Sequence, residues 1–141
     1  MTEQYDEFFK RFGELYGVPW ELLKAQAVAE SILNPLAVSP HGAQGLAQFL
    51  PATFAEWADR LGLKDASPFD PQDAIHAQAA YMTHLHERFG DWQKALGAYN
   101  WGMGHLFKIE HAEDWQDRLP RETQQYIARI MEMVKDLFRV A

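Results

Sequence analysis

Apolar residues along this chain recur at the spacing of a helix, and the period of two expected of strands is almost absent. Tyr5, Phe8, Phe9, Phe12, Leu15 and Tyr16 form one helical face, and Gly17 suits its end. Pro19 fits a first helical position, and the second helix runs to about Ser31, because Asn34-Pro35 cannot continue it. Leu33 to Gly42 reads as a loop, and Ala43 to Leu50 as a short helix. Pro51 opens the next helix, with Phe54, Trp57, Ala58 and Leu61 on one face and Gly62 behind it. After a second loop, Leu63 to Phe69, Asp70 caps a helix carrying Ile75, Ala79, Met82, Leu85 and Phe89, which stops at Gly90. Asp91 caps Trp92 to about Trp101, and the Gly102-Met103-Gly104 run breaks that helix. Leu119-Pro120 begins the last one, striped by Ile127, Ile130, Met131, Val134, Leu137 and Phe138. The pattern predicts an all-α protein, one domain over residues 1–141, with two substantial loops.

Composition narrows what such a fold can do. The length suits one compact core. Five Trp, five Tyr and nine Phe are a large aromatic complement, some of which fills the core. Since aromatic faces also line sugar-binding grooves, the count leans weakly toward a ligand cleft. With 13 Lys plus Arg against 20 Asp plus Glu the net charge is −7, which argues against nucleic acid and anionic membranes as partners. No Cys is present, so disulfides and thiolate metal sites are excluded. His84 and His86 lie two apart on a predicted helix and do not share a face, and no His-Glu-x-x-His occurs, so no metal or other cofactor is expected. The acidic start from Met1 to Glu7 has no secretory signal pattern, and no segment has the length of a membrane span. The expectation is a soluble monomer without membrane insertion.

Glu30 is the residue whose position points to chemistry. It lies near the predicted C-terminal end of the second helix, in Ala25-Gln26-Ala27-Val28-Ala29-Glu30-Ser31-Ile32, where nearly every neighbour is small or apolar. Low-dielectric surroundings and the negative end of the helix dipole both push a carboxyl pKa upward. A carboxylic acid still protonated near neutral pH can donate to a glycosidic oxygen. Position alone favours a plain helix-end glutamate bonded to the following loop, since most glutamates at helix ends do no chemistry.

The stretch Ala29-Glu30-Ser31-Ile32-Leu33-Asn34-Pro35-Leu36-Ala37-Val38-Ser39-Pro40-His41-Gly42-Ala43-Gln44-Gly45-Leu46-Ala47-Gln48-Phe49-Leu50-Pro51-Ala52-Thr53 closely resembles the signature of soluble lytic transglycosylases, in the superfamily of goose-type lysozyme. That family has Glu-Ser before Asn-Pro and Ala-x-Ser, then Gly-Ala-x-Gly-Leu-x-Gln and Pro-x-Thr. A second element, Ala-Tyr-Asn before a glycine-rich turn, is similar to Ala98-Tyr99-Asn100-Trp101-Gly102-Met103-Gly104. A third, a Tyr soon after Pro-x-Glu-Thr, is similar to Pro120-Arg121-Glu122-Thr123-Gln124-Gln125-Tyr126. Three elements in order, from about residue 18 to 128, are far more specific than any one.

The resemblance implies a lysozyme-like helical fold with a substrate cleft, and peptidoglycan glycan strands as the partner. Glu30 would be the sole acid/base, Ser39 would hold the substrate's N-acetyl region, and Gln48 would hydrogen-bond sugar. Tyr99 and Asn100 would line the cleft, and Tyr126 would orient the catalytic carboxyl. Ala47 and Leu50 stand where the family usually or often has Met, and Trp101 and Met103 replace Ala and Pro in the glycine turn. Trp101 therefore offers a further sugar-stacking face, or else a core Trp. The implied reaction cleaves the MurNAc-β-1,4-GlcNAc bond and closes a 1,6-anhydro ring on muramic acid. A muramidase that admits water, or an idle peptidoglycan-binding module, would use the same scaffold. Made in the cytoplasm and acting on the wall, such a chain would suit phage lysis, a virion or a specialised secretion machine.

Overall fold

The protein is described here by a computed structural model covering residues 2–140. Seven α-helices and one 3-10 turn form among the described residues: α1 (Asp6–Tyr16), α2 (Trp20–Ser31), α3 (Pro51–Arg60), α4 (Pro71–Phe89), α5 (Trp92–Trp101), α6 (Met103–Phe107), η1 (Trp115–Arg118) and α7 (Arg121–Val140). No strand forms among them, only isolated bridges joining Val38 to Gln44 and Gln44 to Phe49. The expected all-α class is what folds. Two compact units divide the chain, one ending at Tyr81 and the other beginning at Met82, so α4 gives its first half to one and its second half to the other.

In the first unit α1 and α2 pack closely because Gly13 has no side chain. A Cβ there would lie 2.7 Å from the Val18 carbonyl oxygen and 3.2 Å from the Trp20 Cβ. α2 is buried on every side from Glu21 to Ala27, which is why it carries no apolar stripe. Lys24 survives in that setting through an ion pair with Asp6 at 2.7 Å. A buried ammonium without a partner would cost several kcal/mol, on the order of the pair's own attraction. His76 of α4 stacks on Phe12, with ring centroids 4.4 Å apart, and its Nε2 lies 2.7 Å from the Tyr16 hydroxyl.

In the second unit α5 packs against α6 and α7. Gly97 is the contact point: a Cβ there would meet Ile127, Leu106 and Leu119 at ordinary van der Waals distance. Arg88 forks onto the buried Glu110, with nitrogen–oxygen distances of 2.8 and 3.2 Å, tying α4 to the segment before η1. Asp91 caps α5 by accepting from the Lys94 N–H at 2.8 Å, as the sequence predicts.

Three sequence expectations change. Ala43–Leu50 is not a helix: the Gln44 and Phe49 backbones bond each other in both directions, at 2.8 and 3.1 Å. Gly45 and Gln48 take positive φ, 81° and 52°, which turns the chain back where a helix would have carried it on. Pro19 stands just outside α2 with ψ 123°, not within its first turn. Past the glycine break, Met103–Phe107 and Trp115–Arg118 form short helical turns that the apolar period does not announce.

Gly45 sets up a sharp contrast with Gly62. A Cβ on Gly45 would lie 1.8 Å from the Pro68 carbonyl oxygen, whereas one on Gly62, also at positive φ, would meet nothing within 4 Å. Gly45→Ala is expected to lose about 3 kcal/mol through strain plus overpacking, and Gly62→Ala about 1 kcal/mol. Calorimetric unfolding checks both, and equal losses would remove the loop-to-loop contact as a stability determinant.

Burial holds the His76 pKa below 6.5, and the attraction of Asp73 offsets only part of that. Below pH 6.5 the unfolded chain therefore takes up a proton that the folded chain refuses. The stability from this group is complete above pH 6.5 and is lost as pH falls toward the lower folded value. His76→Gln should flatten the dependence of Tm on pH between about 6.5 and 5 relative to the parent. Parallel Tm curves for the two proteins would contradict it.

Candidate active site

After Glu21–Ala27, α2 emerges from burial in its last turn. Val28, Ala29 and Glu30 are half-buried, whereas every residue from Glu21 to Ala27 is buried. Glu30, one residue before the helix ends, thus sits where the core meets the surface. The helix stops because Ile32 and then Leu33 take left-handed φ, 55° and 57°. Such values are uncommon for residues with a side chain, and rarest for a β-branched one, so surrounding contacts must hold the turn.

Ser31 supplies one of those contacts. Its buried Oγ donates to the Leu46 carbonyl at 2.8 Å, with the Ala27 carbonyl 3.1 Å away as second acceptor. The end of α2 is thereby pinned to the turn that carries Gly45 and Gln48. Gly45 in turn donates its N–H to Ala37 at 2.8 Å and lies flush against the Pro68 backbone, where only hydrogen fits.

Ser39 and Gln48 are largely engaged in building this loop. The Ser39 Oγ accepts from the Ala43 N–H at 3.0 Å, leaving its hydroxyl hydrogen to donate elsewhere. Gln48 spends both amide hydrogens on loop carbonyls, Ala37 at 3.1 Å and Gly45 at 2.9 Å. Its Oε1 is then the atom with capacity to accept from a ligand.

The other four predicted residues belong to the second unit. Tyr99 is half-buried and Asn100 exposed in the last turn of α5, while Tyr126 is buried in the second turn of α7. Thr123, itself buried, donates from Oγ1 to the Asn100 Oδ1 at 2.8 Å. That bond fixes the Asn100 amide with its nitrogen as the outward donor. Gly102, at φ 118° and ψ 136°, breaks α5 in a conformation reserved for glycine and lets α6 start at once. Trp101 consequently stacks on His105, with centroids 4.8 Å apart and planes 14° from parallel.

Glu30, Ser39 and Gln48 therefore belong to one unit, with the loop pinned to the helix that carries Glu30. Tyr99, Asn100, Trp101 and Tyr126 belong to the other. Sequence reasoning gave no role to Ser31 or Thr123, although both stand inside the quoted motifs. It also missed a buried amide pair, Gln26 and Gln78, because residues 52 positions apart leave no local signal. Among the described residues no group of three or more His, Asp or Glu side chains could hold a metal ion, and no helix is long and apolar enough to cross a membrane.

A membrane-bound lytic murein transglycosylase F of Alcanivorax borkumensis is 36% identical over 135 residues, covering 82% of this chain and 27% of that protein. Its counterpart from Maricaulis maris is 35% identical over 143 residues, covering 94% and 29%. The chain thus spans under a third of the length of these relatives. Among solved structures, the lytic transglycosylase Slt of Pseudomonas aeruginosa, crystallised as an inactive mutant, superposes with a TM-score of 0.85 at 25% identity. It covers 94% of this chain and 23% of that one. The 70 kDa soluble lytic transglycosylase of Escherichia coli gives 0.82 at 26% identity, covering 94% and 24%. The Transglycosylase SLT domain family matches from residue 7 to residue 120, from the first helix to the threshold of the last, and to that family the chain belongs.

Proposed function

We propose that the chain is a peptidoglycan lytic transglycosylase domain in which Glu30 is the general acid and then the general base. The observation that carries this reading is the placement of Glu30. It stands half-buried in the last turn of α2, next to a loop locked to that turn through Ser31. Membership of a family whose relatives are named lytic murein transglycosylases supports it. All 141 residues are read as one catalytic domain, working as a monomer on glycan strands without a cofactor.

The reaction starts with transfer of the Glu30 proton to the glycosidic oxygen between MurNAc and GlcNAc. The C1–O bond breaks, GlcNAc leaves with a free 4-hydroxyl, and the substrate's own N-acetyl oxygen stabilises positive charge at C1. Glu30, now a carboxylate, takes the proton of the muramic acid 6-hydroxyl as that oxygen attacks C1. The 1,6-anhydro ring closes, Glu30 ends protonated as it began, and no water is consumed. One carboxyl suffices because the acetamido group does the work that a second carboxylate does in two-carboxylate glycosidases.

Ser39 is proposed to donate its remaining hydrogen to the N-acetyl region, and Gln48 to accept from a sugar hydroxyl through Oε1. Tyr99, Asn100 and Tyr126 are proposed as the second unit's substrate-binding residues, Asn100 through the amide nitrogen that Thr123 turns outward. Trp101, with one face against His105, would present its other face to a sugar ring.

Purified peptidoglycan digested by the parent should release anhydromuramyl fragments, and Glu30→Gln should lower their yield by at least about a thousandfold. Mass spectrometry of the released fragments decides this. Reducing-end fragments would assign a muramidase, and no fragments from a folded parent would assign a binding module. Bulgecin A, which the 70-kDa soluble lytic transglycosylase binds in a solved complex, should raise the Tm of parent and Glu30→Gln alike. Trp101→Ala should raise KM for glycan strands with kcat kept. A lower Tm at unchanged KM would reduce Trp101 to packing.

A further inference from the structure

The first unit buries a pair of glutamines that the packing of its core does not require. Gln26 of α2 and Gln78 of α4 are both fully buried, 0% exposed. Gln78 donates from Nε2 to the Leu23 carbonyl at 3.1 Å and to the Gln26 Oε1 at 2.8 Å. The Leu23 carbonyl can only accept, so the nitrogen end of Gln78 is the end that faces it. The Gln26 atom beside that same nitrogen must then be an acceptor, namely Oε1. The polarity of both amides follows from one backbone carbonyl, and the Nε2 of Gln26 is directed away from Gln78 as a donor.

This arrangement has a cost. The Gln78 Oε1 is buried with no hydrogen-bond partner among the described residues. An apolar pair of similar size would avoid that desolvation penalty, so stability does not account for the amides. Their position relative to Glu30 does. Residues four apart share a helix face, and helical side chains lean back toward the N-terminus, so the Glu30 side chain leans over the turn that holds Gln26.

We propose that Gln26 is a positioning residue for Glu30: its Nε2, oriented by Gln78, donates to the Glu30 carboxyl oxygen that is not needed for proton transfer. The carboxyl is thereby held in one rotamer, with its other oxygen presented to the substrate. A single helical carboxyl at a half-buried helix end has several rotamers to choose from, and a fixed donor one turn below reduces them to one. The catalytic part of the proposal rests on the transglycosylase reading above, whereas the hydrogen bond itself does not.

The test uses the double variant Gln26→Met with Gln78→Met, which removes both amides together, so that neither is left buried without the other. Its Tm should equal or exceed that of the parent. Its kcat on purified glycan strands should fall about tenfold to a hundredfold, with KM within about twofold. Restoring Gln78 alone should leave kcat low, because Gln78 acts only through Gln26. A folded double variant with parental kcat would overturn the proposal. Crystal structures of the parent and the double variant give a readout independent of activity: a Gln26 Nε2–Glu30 Oε bond in the parent, and a displaced or multiply placed carboxyl in the variant. A parent crystal with the Gln26 nitrogen bonded elsewhere would overturn it even if turnover were never detected. A parent without turnover that keeps this bond would instead reject the transglycosylase reading alone.

Discussion

Everything around Glu30 depends on α2 being buried on all sides for two turns and then having to stop. Polar groups deep in such a helix are cut off from water and depend on partners within the protein. Lys24 takes Asp6, Gln26 takes Gln78, and Ser31 takes the Leu46 carbonyl. These three contacts tie the helix respectively to the start of α1, to the middle of α4, and to the turn after the loop. Glu30 emerges where burial relaxes at the end of α2, and its backbone is fixed by neighbours that have few alternatives.

The loop that follows is held by backbone hydrogen bonds and by the buried side chains of Leu46, Ala47 and Phe49. Ala37 offers one carbonyl to both the Gly45 N–H and the Gln48 amide, and Ser39 receives the Ala43 N–H. A loop closed in this way keeps its shape while Ile32, Leu36, Val38 and Leu50 stay largely exposed. Gly45 completes it, because the Pro68 carbonyl occupies the space where any other residue would have its Cβ. The glycine is thus required twice, by its φ and by its neighbour.

The second unit reaches a similar economy by other means. Gly97 lies where α5 meets α6 and α7, Gly102 lets α5 end and α6 begin without a loop, and Thr123 fixes the Asn100 amide. Each of these residues acts on a backbone or on a neighbour's orientation. The side chains proposed to contact a ligand, Tyr99, Asn100 and Tyr126, are carried on that scaffolding.

Local rules made much of this legible from the amino acids alone. The apolar period of 3.6 marked the long helices, Asp70 and Asp91 announced their caps, and the order of three motifs pointed to the family. The stretch from Ala43 to Leu50 misled, because its small and apolar residues suit a helix while bonds to Ala37 and the close approach of Pro68 turn it into a loop. The Gln26–Gln78 pair and the Ser31 pin were silent for the same reason. Local sequence fixes which conformations a segment can adopt, but a hydrogen bond across 15 or 52 residues exists only once packing has excluded water and brought its two ends together.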